Sequence, residues 1–173
     1  MRFLVIFLLL VSCHPEQNKP VDLNKLRFKT TDASEIFFKN IRKSQYEIEE
    51  IPKSGIEIYR LKSDERLAMP LKPFIVYNWR QDFASIMFDT NGINSESITL
   101  IFEKDQIQDK QIFGISFPKD QSYLAIRIYN ALLRNEKIFV INDNQEKEIL
   151  PTETQREDFR ITVFDFLRLV EMR

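Results

Sequence analysis

The chain has 173 residues, and its 25 basic and 26 acidic side chains give a net charge of −1, without the basic face that nucleic-acid binding needs. Gly55, Gly92 and Gly114 are its only glycines, too few and too scattered for a phosphate-cradling loop. Its single cysteine and single histidine are Cys13 and His14, so residues 15–173 hold no means for Ser-His-Asp or Cys-His catalysis, structural zinc, axial haem ligation by imidazole or thiolate, or disulfides. No cofactor and no metal site is expected.

Arg2 precedes nine apolar residues, 3–11. As a helix these reach roughly 14 Å, far short of a bilayer core of about 30 Å, so a cleaved signal fits better than a membrane span. The run closes on Leu10-Val11-Ser12-Cys13, which resembles the lipobox of bacterial lipoproteins. That resemblance covers residues 1–13 only and identifies a processing class, with no family for the folded part. It implies that residues 1–12 are removed as a signal peptide. Cys13 receives a diacylglyceryl group, its freed amine is acylated, and the protein becomes anchored in the cell envelope. His14 stands where an Asp would retain such a protein in the inner membrane, so the outer membrane is expected. Two or three acyl chains, at about 0.8 kcal/mol per buried CH₂, hold firmly.

Residues 13–26, with Pro15 and Pro20, read as the lipidated cysteine and a flexible tether that lets the domain stand clear of the headgroups; its stretch from His14 reaches roughly 35 Å at most. Residues 27–173 form one domain, of a size that supports a single core.

Residues 31–51 are ambiguous. Asp32 and Glu35 have the spacing of a capping arrangement, and Ala33, Ile36, Phe37 and Ile41 share a helical face. Ile36 with Phe38, and Tyr46 with Ile48, also fit period two. A helix over about 33–43 and an extended piece to 51 is the favoured reading. Residues 52–55 make a turn. Strands follow at 56–61, 74–79 and 83–89, with a charged loop at 62–66. Asn91-Gly92 predicts a hairpin from 83–89 into 97–103, where Ile98, Leu100 and Phe102 alternate. A fifth strand is expected at 112–117.

A helix over 121–135 carries the stripe Leu124, Ile128, Ala131 and Leu132, flanked by Tyr123 and Tyr129. Residues 137–142 form a buried strand, 143–144 a turn and 148–150 a return strand. Thr152 with Gln155 resembles a capping box, opening a terminal helix over 153–171 with Phe159, Val163, Phe166, Leu167 and Val170 on one face. The expected class is α+β: a mainly antiparallel twisted sheet with the helices at 121–135 and 153–171 packed on one face.

Site candidates are few. Asn78, Trp79 and Arg80 gather an amide, the only tryptophan and a guanidinium at a strand end, a set that can bind a sugar or peptide by stacking and forked hydrogen bonds. The plainer reading has Trp79 capping the core. The loop from Asp89 to Glu96 offers oxygen ligands, but Gly92 and Glu96 fall at its fourth and eighth positions, where an EF-hand needs the sixth and twelfth. Paired acids such as Asp82 with Asp89, or Asp105 with Asp109, permit glycoside hydrolysis in principle, yet 26 carboxylates make chance pairs inevitable. Phe164 falls off the terminal helix's stripe; if exposed within a patch, it marks a partner surface.

The functional expectation is therefore a non-catalytic envelope lipoprotein. Its partners are the membrane, through Cys13, and an envelope protein or polymer. A small-ligand binding lipoprotein is the alternative, and a carboxylate-based hydrolase ranks last.

Overall fold

The computed structural model describes residues 19–63, 69–90, 96–142 and 145–173. The expected signal, Cys13, His14, most of the charged loop, Asn91-Gly92 and the expected 143–144 turn lie outside the described residues. The protein is α+β, as expected, but its strands divide into two four-stranded antiparallel sheets.

The first sheet is a meander of β1 (Tyr46–Ile51), β2 (Ile56–Leu61), β3 (Lys72–Asn78) and β4 (Phe83–Asp89). Alternation sorts its faces. Tyr46, Tyr59, Leu61, Ile75, Tyr77, Ala84, Ile86 and Phe88 are buried on one face, whereas Glu47 and Glu49 project from the other. The second sheet contains β5 (Ser97–Lys104), β6 (Ile107–Gly114), β7 (Lys137–Asn142) and β8 (Gln145–Ile149), in the order β6-β5-β7-β8. Its buried face is Ile98, Leu100, Phe102, Ile138, Val140 and Ile149.

The hairpin expected across Asn91-Gly92 does not form. Both flanks of β5 are occupied, by β6 and β7, so β4 remains the edge of the other sheet. The actual hairpin turns at Asp105-Gln106, with φ of 51° and 67°, the positive values that a tight two-residue connection requires. β6 starts five residues before the expected fifth strand.

Three helices complete the fold. α1 (Asp32–Phe37) widens into a π turn, Phe38–Arg42, then a 3-10 turn, Lys43–Gln45, before β1. Its capping box is Thr31 with Ser34 rather than Asp32 with Glu35. Its buried side chains are Ser34 and Phe38; the expected face fails because Ala33, Ile36 and Ile41 are exposed. α2 (Pro118–Leu133) begins a turn early because Pro118 suits the first helical turn, where its missing N–H costs nothing. It packs on β4 of one sheet and on β6 and β7 of the other, while α3 (Glu153–Leu169) packs on β3, β4 and α2. The expected stripes of α2 and α3 are buried, and one cluster of buried side chains joins both sheets. Thr152 and Gln155 form the expected capping box.

Residues 21–26, expected in the tether, belong to the folded body. Val21 is buried, and Leu23 and Leu26 pack on the core. Asn130 of α2 clamps the Val21 peptide: its Oδ1 accepts the Val21 N–H and its Nδ2 donates to the Val21 carbonyl, each at 2.8 Å. Val21 and Leu23 contribute burial that compensates for the lost chain freedom.

The outer edge of β4 is closed along its length. Ala84 N–H donates to the Phe28 carbonyl at 2.8 Å, Ile86 N–H to Ser122 Oγ at 3.0 Å, and Phe88 N–H to Gln121 Oε1 at 2.8 Å. The Ser122 hydroxyl returns a bond to the Ile86 carbonyl at 3.1 Å. Phe28 stacks on Phe83 and meets Tyr123 edge-on.

Candidate functional site

α1 and its π turn run along α3, held at one end by the Ser34 hydroxyl donating to the Leu169 carbonyl at 2.7 Å. At the other end Arg42 Nε donates to both oxygens of Asp165, at 2.8 and 2.9 Å, and Tyr46 Oη donates to Asp165 Oδ2 at 2.6 Å. Between these ends lies an open hollow of about 390 Å³, lined by Phe37, Ile41, Ile161, Phe164, Arg42 and Arg168 around Asp165.

The hollow combines apolar walls with two forks of positive charge. Arg168 stands over Phe37, its Cζ 3.9 Å from the ring centre; among the described residues it hydrogen-bonds no protein acceptor. Arg42 commits only Nε, which leaves its terminal nitrogens available. Asp165 is 2% exposed. Burial pushes its carboxyl above the usual range, against the pull of the Tyr46 hydroxyl and Arg42. Burial and the Asp165 charge likewise push the Tyr46 phenol up. The buried acid thus fixes Arg42 in place, and planar guanidinium groups so presented recognise carboxylate or phosphate.

The Trp79 turn is looser. Trp79 is 49% exposed and does not cap the core. Its N–H donates to the Gly55 carbonyl at 3.0 Å, and the Asn78 side chain accepts the Arg80 N–H at 3.1 Å. Arg80 donates to the Lys53 carbonyl at 2.8 Å and lies 5.1 Å from the Trp79 ring. Gly55, at φ 77°, is required here: a Cβ would sit 2.6 Å from Arg80 Cγ. The structure brings Trp79 and Arg80 together beside a hollow of about 210 Å³, but Asn78 and Arg80 already satisfy the turn.

A third region surrounds β6. Ile107 and Ile112 are 75% and 72% exposed, the most exposed large apolar side chains among the described residues, and Phe117 beyond the strand is 68% exposed. Among the described residues nothing hydrogen-bonds the outer backbone edge of β6. Beneath the β5–β6 hairpin, Arg127 lies 3.6 Å from the centre of the Phe102 ring and bonds Glu136 at 3.2 Å, with Asp109 at 3.4 Å. Burial raises the Glu136 pKa, but hydrogen bonds from Arg134 and Arg127 outweigh it and hold the carboxyl below its usual range.

The first of the two acid pairs does not converge. Asp82 and Asp89 bracket β4, about 20 Å apart along a strand rising ~3.3 Å per residue, and Asp89 pairs with Arg60 at 3.2 Å. Glycoside hydrolysis needs its carboxyls roughly 5–10 Å apart. Asp105, in the hairpin turn, and Asp109 do line one hollow of about 370 Å³, where Asp109 is tied to Arg127. Among the described residues no three His, Cys, Asp or Glu side chains cluster as metal ligands, and no helix is long and apolar enough to cross a membrane. The Asp89–Glu96 loop lies largely outside the described residues.

Phe164 is half-buried in the hollow, and its departure from the α3 stripe was the signal for it. Arg42 and Asp165 lie 123 residues apart, and no local pattern announces such a pair. Searches against protein-family models, curated proteins and solved structures find no match to this chain.

Proposed function

We propose that this chain is a lipid-anchored envelope protein, held in the outer membrane through Cys13, whose folded part binds an envelope protein rather than catalysing a reaction. The anchor rests on Leu10-Val11-Ser12-Cys13. The binding reading rests on the open edge of β6 with Ile107 and Ile112 exposed on either side of it. An extended partner segment adds to such an edge through main-chain hydrogen bonds, while alternate side chains find apolar contacts. The other outer strands carry more charge: β1 has Glu47, Glu49 and Glu50, and β8 has Glu146, Lys147 and Glu148, against Asp109 and Lys110 on β6.

A photo-crosslinking residue at Ile112, in cells making the full chain, tests this. One discrete adduct from Ile112 and none from Lys147 on β8 is the expected result. No adduct at Ile112, or the same adducts from both positions, overturns it.

A small-ligand reading is favoured by one observation, the half-exposed Trp79 over its hollow. Trp79 is the only tryptophan, so its fluorescence reports directly. Emission unmoved by envelope sugars, peptides and lipids counts against it.

A further inference from the structure

We infer that the face between α1 and α3 docks on anionic phospholipid headgroups beside the lipid anchor. This rests on the reading of Cys13 as the anchor, and it adds that the domain lies against the membrane instead of standing clear of it.

The first argument is reach. The chain enters the folded body at the C-terminal end of α3, where Arg173 donates to the Lys19 carbonyl and Asn130 clamps Val21. Lys19 is six residue steps from Cys13, at most about 20 Å of extended chain. The hollow begins at the same end, where Ser34 bonds Leu169 and Arg168 covers Phe37, and it runs from there to Arg42 on Asp165. From Leu169 back to Ile161 is about 12 Å of helix. The whole hollow therefore lies within the radius the tether allows, at high effective concentration of lipid.

Chemistry is the second argument. Ile41, 57% exposed, stands with half-buried Phe37, Ile161 and Phe164 around Arg42 and Arg168. Aromatic and aliphatic side chains beside arginines suit the headgroup–acyl boundary, where rings sit shallow and guanidinium groups grip phosphate. The unspent nitrogens of Arg42 and Arg168 supply forks of the geometry phosphate accepts.

Charge complementarity is the third. Residues 19–45 carry seven basic and three acidic side chains in a chain whose net charge is −1. Glu47 and Glu49 project from the sheet face opposite the helices. Residues 153–173 add four basic and five acidic side chains, so the two segments that frame the hollow, with 11 basic against eight acidic side chains, together carry a net charge of +3 toward an anionic leaflet.

The experiment places a tryptophan at the hollow. In the full processed chain with Trp79→Phe, Ile41→Trp is compared with Gln108→Trp on β6, in vesicles containing brominated phospholipid. With phosphatidylglycerol present, quenching at position 41 should exceed that at 108 by at least about twofold. It should fall to the level of 108 in pure phosphatidylcholine, and when Arg168→Gln is added. Equal quenching at 41 and 108 with phosphatidylglycerol overturns the inference, as does quenching at 41 indifferent to lipid charge. An envelope protein crosslinked at 41 in cells, without lipid quenching in vesicles, overturns it in favour of a protein ligand. The intact mass of the same sample reports the lipid on Cys13. A mass without it sinks the anchor reading alone, and the vesicle comparison still decides the docking. Lipid composition needs no substitution, so the test survives if Arg168→Gln misfolds.

Discussion

β4 and β6 are both edge strands, and each turns a row of backbone donors and acceptors outward, a template for unwanted pairing. Along β4 that row is used up by Phe28 and by Gln121 and Ser122 of α2. Along β6 no described residue bonds the outer backbone, and Ile107 and Ile112 are exposed. One edge is built into the core while the other faces out. The difference teaches that this fold has the means to close an edge, so an edge left open among the same elements is the better place to look for a partner.

The largest test of that contrast removes the closure of β4. Ser122→Val with Gln121→Leu leaves four backbone groups buried without these partners, the Ile86 and Phe88 N–H groups and the Ile86 and Ile115 carbonyls. At roughly 1–3 kcal/mol for each orphaned group, a loss of at least about 4 kcal/mol is expected in urea unfolding, with new concentration-dependent association. Full stability and a monodisperse protein would show that α2 merely lies beside the edge.

An intermediate effect is expected under β6. The Glu136 carboxyl is held below its usual range. Its ion pairs therefore contribute stability that is fully present above the unfolded value of about 4.3 and is lost as pH falls through the lower folded value. Glu136→Gln should cost about 1–2 kcal/mol at neutral pH and flatten the acid side of the stability profile. An unchanged acid slope contradicts the linkage.

The smallest effect on stability separates binding from folding. Ile112→Lys, on an exposed position, should change unfolding by no more than about 0.5 kcal/mol while abolishing the adduct formed from Gln111 or Phe113. A large drop in stability would mean that Ile112 supports the sheet instead of a partner.

Much of this architecture is legible from local pattern. Residues 83–89 and 137–142 read as strands because short apolar runs end at polar turns, and α3 reads as a helix because its stripe and capping box agree. Pairing was less legible. Asn91-Gly92 is a strong hairpin signal, but β5 prefers β6 through Asp105-Gln106, two residues in left-handed conformation without a glycine between them. The buried face of α1 lies one residue on from the expected stripe, at Ser34 and Phe38, which leaves Ile36 in solvent, and the π turn after Phe37 carries Ile41 out as well. The Val21 segment looked like tether because its partner, Asn130, is 109 residues away. Long-range polar pairs, Arg42 with Asp165 among them, leave no periodicity to read. The hollow they build was visible only through Phe164, one residue out of step.

The Asn130 clamp also has a mechanical side. Tension applied through the start of the chain reaches Val21 and passes directly into α2, which packs on both sheets. The two amide bonds share that load, and the Arg173 contact to Lys19 spreads it to the end of α3. The next link along the chain is the Lys29–Phe83 bridge at the start of β4, so the clamp bears load before the sheet edge does.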